Sequence, residues 1–210
     1  MSRPHAGNWR SSFEHVDALV TRMRLAWLLR HFSPRLAWAA YVGINGFVTI
    51  GILALLALVS GSPFLFPSLG PTAYMFFFAP MSEASSPRNA VFGHAIGLIC
   101  GYGAFALAMS HSPHFPMRAG IHVPGVLAAA LSLSATGALM VLFGVSHPPA
   151  GATTLIVSLG IISQPKDLVI IEVAVVLLTV QSLLINRLAG LPYPLWRSQK
   201  SETSVSQSNG

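Results

Sequence analysis

Two stretches of this chain set hydroxyls, small residues and a histidine around prolines in otherwise apolar surroundings. In Phe64–Pro80, Ser68, Gly70, Thr72 and Ala73 surround Pro71. In Gly144–Ile162, His147 precedes Pro148 and Pro149, and Gly151, Ala152, Thr153 and Thr154 follow. Proline lacks a backbone N–H and suits the first turn of a helix. A short helix is therefore expected from Pro71 to near Pro80, and another from Pro148 or Pro149. A helix N-terminus offers unpaired amides and about half a positive charge. It holds an anion without a buried lysine or arginine. Small residues let those amides approach an ion, and hydroxyls add donors. Neither stretch contains an acidic residue, which disfavours a carboxylate cation site. The chemistry expected is binding of a small monovalent anion. The same small residues also suit tight helix packing in a membrane, and spacing alone leaves both readings open.

Other residues qualify by type. Pro148 biases His147 away from helical geometry, so its ring can donate to an anion, carry a proton with it or cap the short helix. His94 follows Arg88 by six residues, and an ionisable group at membrane depth is a functional candidate. A carbonyl-bonded packing role is the alternative. Arg88 and Asn89 attract anions or pair with Glu83. Glu172 is expected to partner a nearby basic group. Asn45, Gln181 and Asn186 suit interhelical hydrogen bonds. No carboxylate or cysteine accompanies His111, His114 and His122 in their loop, so no metal site is expected. The chain has no His-Glu-x-x-His, Gly-x-Ser-x-Gly or phosphate-loop motif. Neither an enzyme nor a cofactor is expected.

The elements that place these residues follow from composition. Of 210 residues, 53% are hydrophobic and 9% charged, with mean hydropathy +0.63. Soluble domains carry about 25% charged residues. A soluble enzyme, a nucleic-acid module and a disordered chain are excluded. The net charge of +6 is gathered at the flanks, as on the cytoplasmic side of membrane proteins. Cys100, the single cysteine, is a small buried hydrophobe in this reading. Leu36–Ser82 and Ala119–Pro165 are uncharged runs of 47 residues each, followed in both cases by a proline-basic-polar turn and one more apolar helix.

An all-α membrane protein is expected, made of two pseudo-symmetric three-segment repeats. Each repeat has a full helix, a broken half-helix and a second full helix. Helices are expected at Leu36–Val59, Asn89–Met109, Val126–Phe143 and Leu168–Leu188. Residues 1–35 form a basic cytoplasmic segment with an interfacial-helix pattern at Phe13, Val16, Val20, Met23 and Trp27. Residues 36–109 are the first repeat, 110–123 a loop, 124–190 the second repeat, and 191–210 a cytoplasmic tail with a disordered end. Pro71 and Pro149, like Pro87 and Pro165, stand 78 residues apart. Six crossings with inverted repeats are favoured, and four with re-entrant half-helices fit the charges equally. Both place the two termini in the cytoplasm.

Ser146–Thr154, reading Ser-His-Pro-Pro-Ala-Gly-Ala-Thr-Thr, resembles the signature of the HPP family of integral membrane proteins. Pro87-Arg88-Asn89 with Gly93-His94, the segment Ser68–Phe78, and Asn186 with Tyr193-Pro194 and Trp196 resemble further family elements. The resemblance runs from about Arg35 to Arg197. It implies a multi-pass membrane protein, usually described with four spans. Plant and cyanobacterial members are associated with nitrite transport, so nitrite is the implied substrate, in a bacterial inner membrane.

The function expected is a small-anion transporter or channel. The anion would lie between the half-helix ends, on the amides of Thr72, Ala73 and Gly151–Thr153. Ser68, Thr72, Thr153 and His147 would donate, and Arg88 and His94 would guide or protonate it. Its partners are the anion and membrane lipid, with a homo-oligomer compatible and no nucleic acid. The rivals are a non-transporting scaffold that docks a partner, which predicts a dry centre, and a neutral-solute channel.

Overall fold

A computed structural model describes residues 25–111 and 123–198. The basic stretch up to Arg24, the loop with His114, Arg118 and His122, and the tail beyond Ser198 lie outside the described residues. The described residues are helical and contain no strand. The helices are α1 (Leu25–His31), α2 (Pro34–Ser60), α3 (Leu69–Phe78), α4 (Pro87–His111), α5 (Val123–Leu142), α6 (Ala150–Ser158) and α7 (Pro165–Leu188), with a 3₁₀ turn at Glu83–Ser85. Helices α2, α4, α5 and α7 have 27, 25, 20 and 24 residues and are long and apolar enough to cross a membrane. At about 1.5 Å per residue, twenty residues reach about 30 Å, the thickness of a hydrocarbon core. Their outer faces suit lipid: Phe47 on α2 and Val141 on α5 are each 81% exposed.

Local chemistry sets the ends. Ser33 caps α2, its side chain accepting from the Leu36 amide, and proline opens both α2 and α7. Helices α5, α6 and α7 each stop two residues before a left-handed glycine, Gly144, Gly160 and Gly190. In each case the amide after the glycine bonds five residues back: Val145 to Met140, Ile161 to Ile156, Leu191 to Asn186. That geometry needs positive φ, which glycine supplies without a Cβ clash. The first half-helix begins at Leu69, two residues before the expected Pro71. A proline in the first turn costs no hydrogen bond, because that amide would be unpaired anyway.

Contacts fix the direction of each element. Tyr41, early in α2, meets Asn186, late in α7. The far end of α2 shares a polar cup of about 680 Å³ with the junction between α6 and α7, lined by Gly61, Ser62, Gln164, Lys166 and Asp167 among others. Arg88 at the start of α4 reaches the end of α5. The Arg88 amide also bonds the Trp196 carbonyl, just beyond the end of α7, so α2 and α4 run one way, and α5 and α7 the other. The chain between each parallel pair must return, and it does so through a non-helical stretch and a half-helix.

Helix α6 lies along a seam of α4 made by Gly93, Gly97 and Gly101. A Cβ on Gly97 would stand 2.8 Å from the Ala150 carbonyl oxygen, and one on Gly101 2.7 Å from that of Thr154. A Cβ on Gly93 would stand 2.7 Å from the Cβ of His147. Such overpacking costs about 1–3 kcal/mol. Gly97→Ala and Gly101→Ala should therefore each lower the thermal midpoint of the purified protein in detergent. Gly103→Ala, whose Cβ meets nothing within 4 Å, should leave it unchanged. Equal midpoints for all three would remove the seam as a stabilising contact.

Candidate functional site

The non-helical residues ahead of each half-helix leave backbone and side-chain polar groups inside the protein, where they must find partners. They find one another. Side chains at the N-terminal ends of α3 and α6 meet. Ser68 Oγ lies 2.6 Å from Thr153 Oγ1, and Thr72 Oγ1 lies 3.3 Å from His147 Nε2. His94 of α4 sits between them, its Nδ1 2.7 Å from Thr153 Oγ1 and its Nε2 2.9 Å from Thr72 Oγ1. The His94 and His147 rings are 5.0 Å apart, centre to centre. His147 Nδ1 lies 2.7 Å from the Ala84 carbonyl oxygen, and Thr72 Oγ1 donates to the Ser68 carbonyl at 2.9 Å. Ser68, Thr72, His94, His147 and Thr153 are all buried, and Phe66 and Phe76 stand against the two rings.

The glycine seam explains why His147 reaches His94: Gly93 sits directly beneath the His147 side chain. Thr154 lies beside the group, bonded to Thr136 Oγ1 at 3.0 Å and to the Ala150 carbonyl at 3.1 Å. Ala73 is buried, Gly70 is exposed, Ala152 is half-buried, and half-buried Gly151 faces Leu133. The amides of Ala150, Gly151 and Ala152 bond the carbonyls of His147, Pro148 and Pro149. In this conformation those three first-turn amides are already paired, and the polar side chains carry the site.

Arg88 and Asn89 are used elsewhere. The Arg88 guanidinium donates to the Gly144 carbonyl at 2.8 Å, to Phe143 at 3.1 Å and to Asn89 Oδ1 at 3.1 Å. A cation there complements the C-terminal carbonyls of α5. Asn89 Nδ2 donates to the Glu83 carbonyl at 3.0 Å. Together they hold the turns that carry Ala84 and His147. The same end is closed by Asn186, which accepts from Tyr41 at 2.6 Å and donates to the Phe76 carbonyl at 3.1 Å. Tyr193 donates to the Ser85 carbonyl, and burial pushes its hydroxyl pKa well above the ordinary value. The Arg88 amide bonds the Trp196 carbonyl at 3.0 Å. Glu172 differs from the expected basic partnership: both carboxylate oxygens are buried with no hydrogen-bond partner. Sequence reasoning missed the Ala84 carbonyl, which no side-chain pattern marks, and Thr136. The four-residue spacing of Gly93, Gly97 and Gly101 was a signal for the seam.

The HPP transmembrane-region family matches residues 31–194. A transmembrane protein of Dictyostelium discoideum is 27% identical over 172 residues, covering 78% of this chain and 57% of that relative. The chain thus spans under two thirds of the relative's length. No solved structure matches it.

Asn186→Leu leaves a buried hydroxyl and a buried carbonyl unpaired, at about 2–4 kcal/mol. Arg88→Ala releases half-exposed bonds worth about 1 kcal/mol. Thermal unfolding in detergent should rank the two in that order, with Asn186→Leu the larger loss. The reverse order would assign the closure of this end to Arg88.

Proposed function

The chain belongs to the HPP transmembrane family, and we propose that it moves a small inorganic anion across a bacterial inner membrane, with nitrite as the first candidate. One observation carries the reading: side chains at the N-terminal ends of two half-helices meet one another and His94, forming a cluster of five buried polar side chains between membrane-length helices. Buried polar groups in such surroundings are costly and mark solute pathways. Among the described residues no carboxylate bonds to the cluster, which favours an anion over a metal cation. The nitrite assignment rests on the family resemblance.

The reading includes inverted repeats and six crossings. Helices α2 and α4 run opposite to α5 and α7, and each broken segment returns between its parallel pair. Arg88 and Lys166, 78 residues apart like the proline pairs, stand at opposite ends. Arg30, Arg35, Arg88, Arg187 and Arg197 lie at one end and Lys166 at the other. The first end is then cytoplasmic, with both termini. The polar cup beside Lys166 is the opposite vestibule. Ser68, Thr72, Thr153, His94 and His147 contact the anion, which enters by displacing their mutual bonds. Arg88 and Asn89 hold the turn that carries His147. A centre whose polar side chains bond one another also suits a non-transporting scaffold, and the same assay separates the two.

Nitrite uptake into proteoliposomes should exceed that into empty liposomes, saturate, and fall with competing small anions. Loss of one donor costs about 1–3 kcal/mol of binding, or about 5- to 150-fold in affinity. His147→Ala and Thr153→Val should therefore raise the half-saturating nitrite concentration or abolish uptake while still inserting. Wild-type flux no greater than in empty liposomes, for every anion tried, would favour the scaffold.

A further inference from the structure

The hydrogen-bond geometry around Thr72 decides where the protons of the cluster lie. The Ala84 carbonyl only accepts, so the His147 Nδ1 at 2.7 Å carries a proton. In neutral His147, Nε2 is then an acceptor. Thr72 Oγ1 has one proton, and its acceptors are the Ser68 carbonyl at 2.9 Å and that nitrogen at 3.3 Å; either one uses it up. His94 Nε2, 2.9 Å from the same oxygen, must therefore donate. It follows that His94 Nδ1 accepts from Thr153, and Thr153 accepts from Ser68. In the neutral cluster the donors run in order from Ser68 through Thr153 and, from the far side, His94 to Thr72, while His147 donates to the Ala84 carbonyl and leaves Nε2 with a free lone pair beside Thr72.

One more proton fits without moving a heavy atom. It bonds to the lone pair of His147 Nε2, which then donates to Thr72. Thr72 has two lone pairs and accepts from both rings. Its own proton is held on the Ser68 carbonyl, 2.9 Å away. Every donor of the group is paired in both states. The proton comes from water at one face and leaves to water at the other as the step reverses.

Among the described residues, none supplies a counter-charge bonded to the rings for the added proton. On the elements packed around the two rings the other ionisable groups are Tyr74 on α3, Glu83 on the 3₁₀ turn, Arg88, Cys100, Tyr102 and His111 on α4, and Lys166, Asp167, Glu172 and Arg187 on α7. None of them bonds to either ring. A lone buried cation is costly, and so is a lone buried anion, whereas together they cancel. We propose that the His94–Thr72–His147 group is a one-proton site that loads together with the anion, so that the chain moves proton and anion as a neutral pair. This rests on the anion reading above.

The test uses the full-length chain in proteoliposomes, with nitrite pulses and a trapped pH-sensitive dye. Signals are taken above the background that nitrous acid leaves in empty liposomes. Nitrite and protons should enter in equal number, faster with acid outside, at a rate indifferent to a potential imposed with potassium and valinomycin. Thr72→Ser keeps the hydroxyl and should keep the coupling; Thr72→Val should lose it. Nitrite that enters without protons and follows the potential overturns the proton site and leaves the anion reading standing. Coupling lost in Glu172→Gln but kept in Thr72→Val overturns it by moving the proton to α7. A second readout needs no transport. ¹⁵N-histidine spectra of the full-length protein should show one buried ring protonated at Nδ1 and the other at Nε2, a pattern that Thr72→Val changes. Two rings with the same tautomer overturn the assignment. The expected spectra without flux of any anion overturn the anion reading and the neutral pair with it.

Discussion

The close approach of α6 to α4 governs the arrangement of the centre. Two backbones can lie this near only where side chains are missing, and Gly93, Gly97 and Gly101 remove them at one-turn intervals. The contact brings the short helix in backbone first, so the loop ahead of it lands His147 on the turn of α4 that carries His94. Moving α6 outward by the width of a methyl group would part the two rings and open the chain of hydroxyls between them. The same approach lets Thr154 reach Thr136 on α5, so three helices register against one another through small residues and hydroxyls.

Where the helix ladder of this apolar fold is interrupted, the freed polar groups are answered. The left-handed glycines turn the ends of α5, α6 and α7 back on their own carbonyls. Arg88 takes the carbonyls left at the end of α5, and Asn186 takes one from the end of α3. The central hydroxyls and imidazoles use one another. Glu172 and the Gln181 side-chain oxygen stand apart from this economy, buried without partners.

Much of the helical plan was legible because proline, glycine and uncharged length are local signals. Pro71 and Pro149 marked both half-helices, and the error at the first was two residues, the span over which an early proline is tolerated. The hydroxyls and histidines of the centre were nameable by type. Their pairing was not, since Ser68 meets Thr153 across 85 residues and no periodicity encodes that. Arg88 shows the limit from the other side. Its charge suggested an anion, and its geometry commits it to backbone carbonyls, a partner that leaves no mark in the sequence. Glu172 looked like half of an ion pair because carboxylates in membranes usually are.

The latch between the beginning and the end of the chain bears on how the protein assembles. The Leu25 amide bonds the Ala189 carbonyl, and Tyr41 depends on Asn186, 145 residues later. Ribosomes deliver these partners in sequence, so the first span enters the bilayer with its tyrosine hydroxyl unanswered. It must wait through the insertion of every other helix. Distant closures of this kind are late and slow. Until α7 arrives the earlier helices are an open array whose exposed polar groups invite holding by insertion factors or trimming by proteases. A chain truncated before Asn186 would leave that array permanently unlatched.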